Sequence, residues 1–252
     1  MTQQVKFMVS CLVDQVRPAI AHASIKLLEE AGATVTVPMD QTCCGQPAFN
    51  SGHKKLAQSL ACRHDQIFQD DGPENSHIVT PTGSCAGHIK RQFNDLIDSQ
   101  ANSPQNTPPN TPQRTYELSQ YLVDVLAWKC PPVRLGHQQS ITLIDSCAGL
   151  RELGLGHHLR SLLTEAGFAI LENDGREECC GFGGAFAVKY DEISSHIGLK
   201  KLRHLEKATT DQARKIVTGW DYGCLMHLEG LAKKHALDIE FFHFAELLAG
   251  EW

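Results

Sequence analysis

With 252 residues, a formal net charge of −6 and 42% hydrophobic residues, the chain can bury one large core or two smaller ones. It lacks the basic face that would make nucleic acid its partner. No apolar stretch approaches the roughly 18 residues of a transmembrane span, and the opening Met1-Thr2-Gln3-Gln4 is no secretory leader, so a cytoplasmic protein is expected.

Val5 to Val9 reads as a short buried strand that ends before Cys11. Ile20, Ala23, Leu27, Leu28 and Ala31 then recur at helical spacing, with Gly32 as the stop. Thr34 to Val37 is a second strand, followed by the uncommon triplet Cys43-Cys44-Gly45. His53 to Phe68 is predicted to be helical, and His77 to Thr80 is a third strand running towards Cys85. Residues 99–115, SQANSPQNTPPNTPQRT, are rich in Pro, Asn and Gln and are expected to form a mobile loop. Tyr116 to Leu122 reads as a strand end passing into a closing helix, and Lys129 to Gln139, with Pro131-Pro132, as a linker.

The order then begins again. Ile141 to Ile144 is a strand before Cys147, and Leu162-Leu163-Thr164-Glu165-Ala166-Gly167 echoes Leu27-Leu28-Glu29-Glu30-Ala31-Gly32. Phe168 to Leu171 is a strand, Cys179-Cys180-Gly181 repeats the triplet, Glu192 to Lys207 is a helix, and Lys215 to Thr218 is a strand running towards Cys224. Phe242 to Leu248 closes this half as Tyr116 to Leu122 closes the first. Thirty-one residues separate Cys11 from Cys43, and the same number separate Cys147 from Cys179. The chain therefore reads as a duplication. The expected fold is α/β: two pseudo-symmetric domains, 1–129 and 140–252, each a mostly parallel sheet flanked by helices. The stretch 99–115 falls inside the first repeat as an insertion. All the repeated cysteines lie beyond carboxyl ends of strands, where open α/β sheets place their sites.

In a reducing compartment the ten cysteines are metal ligands or redox centres before they are a disulfide framework. A disulfide between neighbours is strained, because adjacent Cα atoms lie about 3.8 Å apart, below the usual disulfide range. Four thiolates per half suit one tetrahedral zinc, but zinc sites space their ligands by two to four residues. A polynuclear iron–sulfur cluster offers adjacent thiolates separate iron atoms. Gly45, Gly181, Gly183 and Gly184 would let backbone N–H groups approach its sulfides. The candidate ligands are Cys11, Cys43, Cys44 and Cys85 in the first half and Cys147, Cys179, Cys180 and Cys224 in the second. Cys62 and Cys130 have no counterpart and read as bystanders. Arg17 and Arg151 follow the first cysteines closely and are candidates for holding a carboxylate, although a surface ion pair is the more common use of such a residue.

TCCGQPAFNSG at Thr42 to Gly52, PTGSCAG at Pro81 to Gly87 and CCGFGGAFAVKY at Cys179 to Tyr190 carry a resemblance to the cysteine-rich CCG domain family. That domain is duplicated in heterodisulfide reductase and glycolate oxidase subunits, and the size resembles the small iron–sulfur subunits of L-lactate dehydrogenase complexes. The resemblance implies an electron-transfer subunit of a complex that oxidises L-lactate to pyruvate. It would hold a [4Fe-4S] cluster, one or two per chain, with a ferredoxin-type subunit and a small third subunit as partners, peripheral to the inner membrane through them. The alternatives are a heterodisulfide-reductase-like or glycolate-oxidase-like subunit, and a zinc-bearing scaffold without redox chemistry. The broader family signature ends in CxxC, whereas this chain has Cys85-Ala86-Gly87-His88 and Cys224-Leu225-Met226-His227. His88 and His227 are therefore either additional ligands or, as the preferred reading, partly exposed helix residues that bind nothing.

Overall fold

The computed structural model describes residues 2–69, 76–98, 110–132 and 139–252. It divides into two compact units, Met1–Leu126 and Ala127–Trp252. Each is an α/β unit built on one four-stranded, wholly parallel sheet.

In the first unit the strands are β1 (Gln4–Phe7), β2 (Thr34–Thr36), β3 (His77–Thr80) and β4 (Thr115–Glu117), in the order β2-β1-β3-β4. Val5 of β1 stands opposite Val35 on one side and His77 on the other. The helices are α1 (Cys11–Val16), α2 (Ala19–Glu30), α3 (Gln46–Asn50), α4 (Lys54–Phe68), α5 (Gly83–Asp98), α6 (Thr111–Arg114) and α7 (Leu118–Gln120), the last running into a π-helical turn at Tyr121–Val125. Phe7, Ile20, Leu27, Leu28, Ile78 and Phe93 are fully buried. Each such side chain contributes on the order of 1.5–3 kcal/mol of burial free energy.

The second unit repeats the plan. Its strands are β5 (Ser140–Ile144), β6 (Ala169–Leu171), β7 (Ile216–Gly219) and β8 (Glu240–His243), in the order β6-β5-β7-β8. A π-helical turn at Ala148–Glu152 replaces α1, followed by α8 (His158–Glu165), α9 (Ala185–Lys189), α10 (Asp191–Ala208), α11 (Tyr222–Lys234) and α12 (Phe244–Ala249). All four residues of β7 are buried, as helix cover on both faces of a parallel sheet demands.

Three differences from the sequence reading matter. Short helices open at Cys11 and Gln46, and two helices not expected from the sequence, α5 and α11, carry the last cysteines in their first turns, just beyond the carboxyl ends of β3 and β7. Most of the expected loop, 99–109, and the middle of the expected linker, 133–138, lie outside the described residues. The tail of the loop is ordered structure: Thr111–Arg114 forms α6, Thr115 begins β4, and Thr111, Pro112 and Arg114 are buried. Arg114 Nη2 donates to the Phe68 carbonyl at 2.7 Å, and Nη1 to that of Ser76.

Candidate functional site

In each unit the chain leaves the carboxyl end of its first, second and third strands towards the same edge, and each exit carries cysteine. In the first unit Cys11 opens α1 and Cys85 sits in the first turn of α5. The vicinal pair lies in the loop between β2 and α3. Cys11 Sγ lies 3.7 Å from Cys43 Sγ, and Cys44 Sγ lies 3.5 Å from Cys85 Sγ. Cys11 is exposed and Cys43 half-buried, whereas Cys44 and Cys85 are buried. The vicinal pair thus splits, one sulfur outward and one inward.

The second unit has the same arrangement. Cys147 immediately precedes the π-helical turn, Cys224 sits in the first turn of α11, and Cys180 Sγ lies 2.7 Å from Cys224 Sγ. Cys179 is exposed and Cys180 buried. Among the described residues, no three His, Cys, Asp or Glu side chains are gathered to hold a single metal ion; the thiols pair off across each site.

The glycine after each pair has a geometric task. Gly45 and Gly181 have φ near +90°, a conformation that costs other residues strain. Their N–H groups point at Cys43 Sγ (3.4 Å) and Cys179 Sγ (3.3 Å). A Cβ on Gly181 would lie 2.4 Å from the Ser194 carbonyl oxygen. The cysteine loop is therefore pressed directly onto α10.

Hydrogen bonding sorts the thiols. Cys43 is pulled down to about 2, first by the bond from the Cys11 thiol, then by that from Cys44, with further help from the Gly45 N–H. Cys11 and Cys44 rise in consequence. Cys179 is likewise pulled down to about 2, first by Cys147 and then by Cys180, with smaller help from Gly181 N–H and Arg151. One thiolate per site is thus favoured before any metal arrives. Thiolate donors, N–H groups aimed at sulfur and a glycine cradle fit a sulfur-ligated metal or cluster.

Both histidines lie near the thiols, and the buried Nε2 of His88 has no hydrogen-bond partner. His88 is 3% exposed, a correction to the expectation of partial exposure. The turn spacing of α5 carries it under Cys44, whose backbone it bonds, while its ring meets Phe49 and Phe93. His227 is half-buried, and its Nε2 lies 3.3 Å from Ser194 Oγ. Burial lowers both imidazoles, His88 to about 4. Arg151 donates to the Glu177 carbonyl at 2.7 Å and acts on Cys147 and Cys179. Arg17 ends α1. Cys62 packs against the first core, and Cys130 Sγ faces the Pro131 carbonyl.

Sequence reading missed how the flanks differ. Asp145, two residues before Cys147, is buried and clamped by Arg160 at 2.9 Å through both oxygens and by Arg176 at 2.9 Å. The matching position before Cys11 is Val9, which lines a cavity of about 280 Å³ together with Cys11, Val37, Met39, Gln41 and Cys43. It also missed Lys201 and His64, which stand on otherwise apolar helix stripes and gave no motif.

The model of the CCG cysteine-rich domain matches residues 5–90 and again 141–229. Lactate utilization protein A of Halalkalibacterium halodurans is 34% identical over 246 residues, 97% of this chain and 96% of that protein. Lactate utilization protein A 2 of Bacillus cereus is 32% identical over 250 residues, 98% of each. A crystal structure of a hypothetical protein from Helicobacter pylori superposes with a TM-score of 0.62 at 10% identity. That likeness concerns fold alone; it covers 98% of this chain and 48% of the other.

Proposed function

The chain belongs to the cysteine-rich CCG domain family, among the proteins called lactate utilization protein A, and from this we propose that it is the iron–sulfur electron-transfer subunit of a complex that oxidises L-lactate to pyruvate. One observation carries the reading: each unit gathers four cysteines at one sheet edge, and the two sulfurs of each vicinal pair meet different partner thiols. That spread suits a centre with several metal atoms better than a lone zinc. Cys11, Cys43, Cys44 and Cys85 would hold one cluster, and Cys147, Cys179, Cys180 and Cys224 another. Such a cluster supplies one-electron transfer when bound. The chain's own part is to present thiolates, aim the Gly45 and Gly181 N–H groups at sulfur, and keep Cys44 and Cys180 from water. His88 and His227 line the sites without ligating.

The names of the relatives supply the lactate connection, and the family resemblance supplies a ferredoxin-type subunit and a small third subunit as partners. Among the described residues no helix is long and apolar enough to cross a membrane. Anaerobic reconstitution with iron and sulfide should give a brown protein. Cys44→Ser or Cys180→Ser should each lower bound iron by about half, while Cys62→Ser should leave it unchanged. Lactate-dependent dye reduction should appear only once the partner subunits are added. A colourless zinc protein, or equal iron loss on Cys62→Ser, would overturn the reading.

A further inference from the structure

Helices α4 and α10 bury matching stripes. On α4 these are Ala57, Ala61, His64 and Phe68; on α10 they include Ser194, Gly198, Lys201 and Leu205. His64 and Lys201 both stand ten residues beyond the first residue of their helix (54 to 64, 191 to 201). They are counterparts in register, because Gly45 packs on Ala57 and Gly181 on Ser194 of the same stripes, and their chemistry differs.

Lys201 is fully buried, with Nζ donating to the Gly175 carbonyl at 2.6 Å and to that of Arg176 at 3.2 Å. Two carbonyl oxygens around one nitrogen suit an ammonium, which has only donors to offer. Burial lowers the ammonium from its ordinary range, and the negative charges of Cys180 and Cys224 oppose that. The carboxylates of Asp145 and Glu178 also face it, but Asp145 is engaged by Arg160 and Arg176, and Glu178 by Lys200 and His204. Arg151 adds a second cation at Cys147 and Cys179.

In the first unit the matching ring of His64 is stacked on Phe68 with centroids 4.4 Å apart, and neither of its nitrogens has a hydrogen-bond partner. Burial keeps it neutral. His88, which acts on Cys43, is also kept neutral by burial.

We propose that the two thiol sites are electronically unequal: the buried ammonium of Lys201, with Arg151, holds the second centre at the more positive reduction potential, and His64 leaves the first without that charge. Lys201 is a positioning residue, not a ligand. Reduction by one electron adds one negative charge to a centre. A fixed cation in a low-dielectric interior stabilises the reduced form more than the oxidised form, so the potential rises. An electron delivered to the chain then settles in the second unit.

The inference rests on the iron–sulfur reading, and one set of samples tests both. Cys44→Ser isolates the second centre and Cys180→Ser the first. Each is reconstituted anaerobically, assayed for iron and sulfide, and titrated with dithionite under electron paramagnetic resonance. The Cys44→Ser protein should show the more positive midpoint. Adding Lys201→Met to it should move the midpoint negative, and Lys201→Arg should restore it. Loaded centres with equal or inverted midpoints overturn this inference alone, as does an unmoved midpoint in Lys201→Met. Absence of iron from both proteins overturns the cluster reading and this inference with it. Should Lys201→Met fail to fold, the comparison of the two isolated centres decides, because it leaves Lys201 in place.

Discussion

His64 is 1% exposed, and the aromatic walls of Phe68 and Phe93 offer its ring no water and no charge partner. Burial, with a smaller push from His88, lowers it to about 3. The unfolded chain therefore takes up the proton first, at the ordinary value of about 6.5. Stability from keeping the ring neutral is complete above that value and is lost as pH falls from there towards about 3. The slope for one proton is about 1.4 kcal/mol per pH unit. His88 shifts in the same direction and adds a parallel loss. His64→Leu should remove one proton's share of the slope, so that urea unfolding between about pH 6 and pH 4 falls less steeply than in the wild type. Identical slopes would mean that His64 reaches water in the native state. At this scale the cysteines were legible because the repeat marks them. Lys201 was not, because a lysine within an amphipathic pattern reads as surface until a neighbouring helix is seen to cover it.

Among the elements that position the sites, α4 and α10 were legible, whereas α5 and α11, of 16 and 13 residues, were not predicted. The helical periodicity over 53–68 and 192–207 predicted α4 and α10 to within a residue or so at each end. Helices α1 and α3 have six and five residues, too few for a 3.6-residue period to show. The tail at 111–115 was hidden by its composition: polar and proline-bearing, it is held by Arg114 bonds to carbonyls distant in sequence. The contact between the cysteine loop and α10 gives a direct test. Gly181→Ala combines a left-handed backbone with a Cβ 2.4 Å from a carbonyl oxygen. It should cost roughly 3 kcal/mol, the sum of conformational strain and overpacking. Gly32→Ala meets almost the same φ, +89°, with open space around the new methyl. It should cost only about 1–2 kcal/mol. Denaturant unfolding of both variants reads the difference, and equal costs would show that the loop yields.

For the molecule as a whole, the equal cysteine spacing foretold two units of one topology, and the sheets are ordered alike strand for strand. The inequality between the units was not foretold, because spacing is blind to what fills the shell behind the ligands. Asp145 with its arginines stands where Val9 faces a cavity, and Lys201 stands where His64 does. Each unit has its own sheet and core, so fragments 1–126 and 127–252, expressed separately, should each give cooperative thermal unfolding by circular dichroism. A fragment that remains unfolded would show that it depends on the other half.

Neither sheet contains a hairpin, and in each the first strand made is an inner one. Val5 must find Val35, thirty residues on, and His77, seventy-two residues on. At roughly 5–20 residues per second of synthesis, β1 leaves the ribosome several seconds before its second neighbour exists. At least one of its edges is open to any other chain in the meantime. The repeated plan imposes the same wait a second time on β5. The period of greatest aggregation risk thus comes twice in the making of each molecule, once for each sheet.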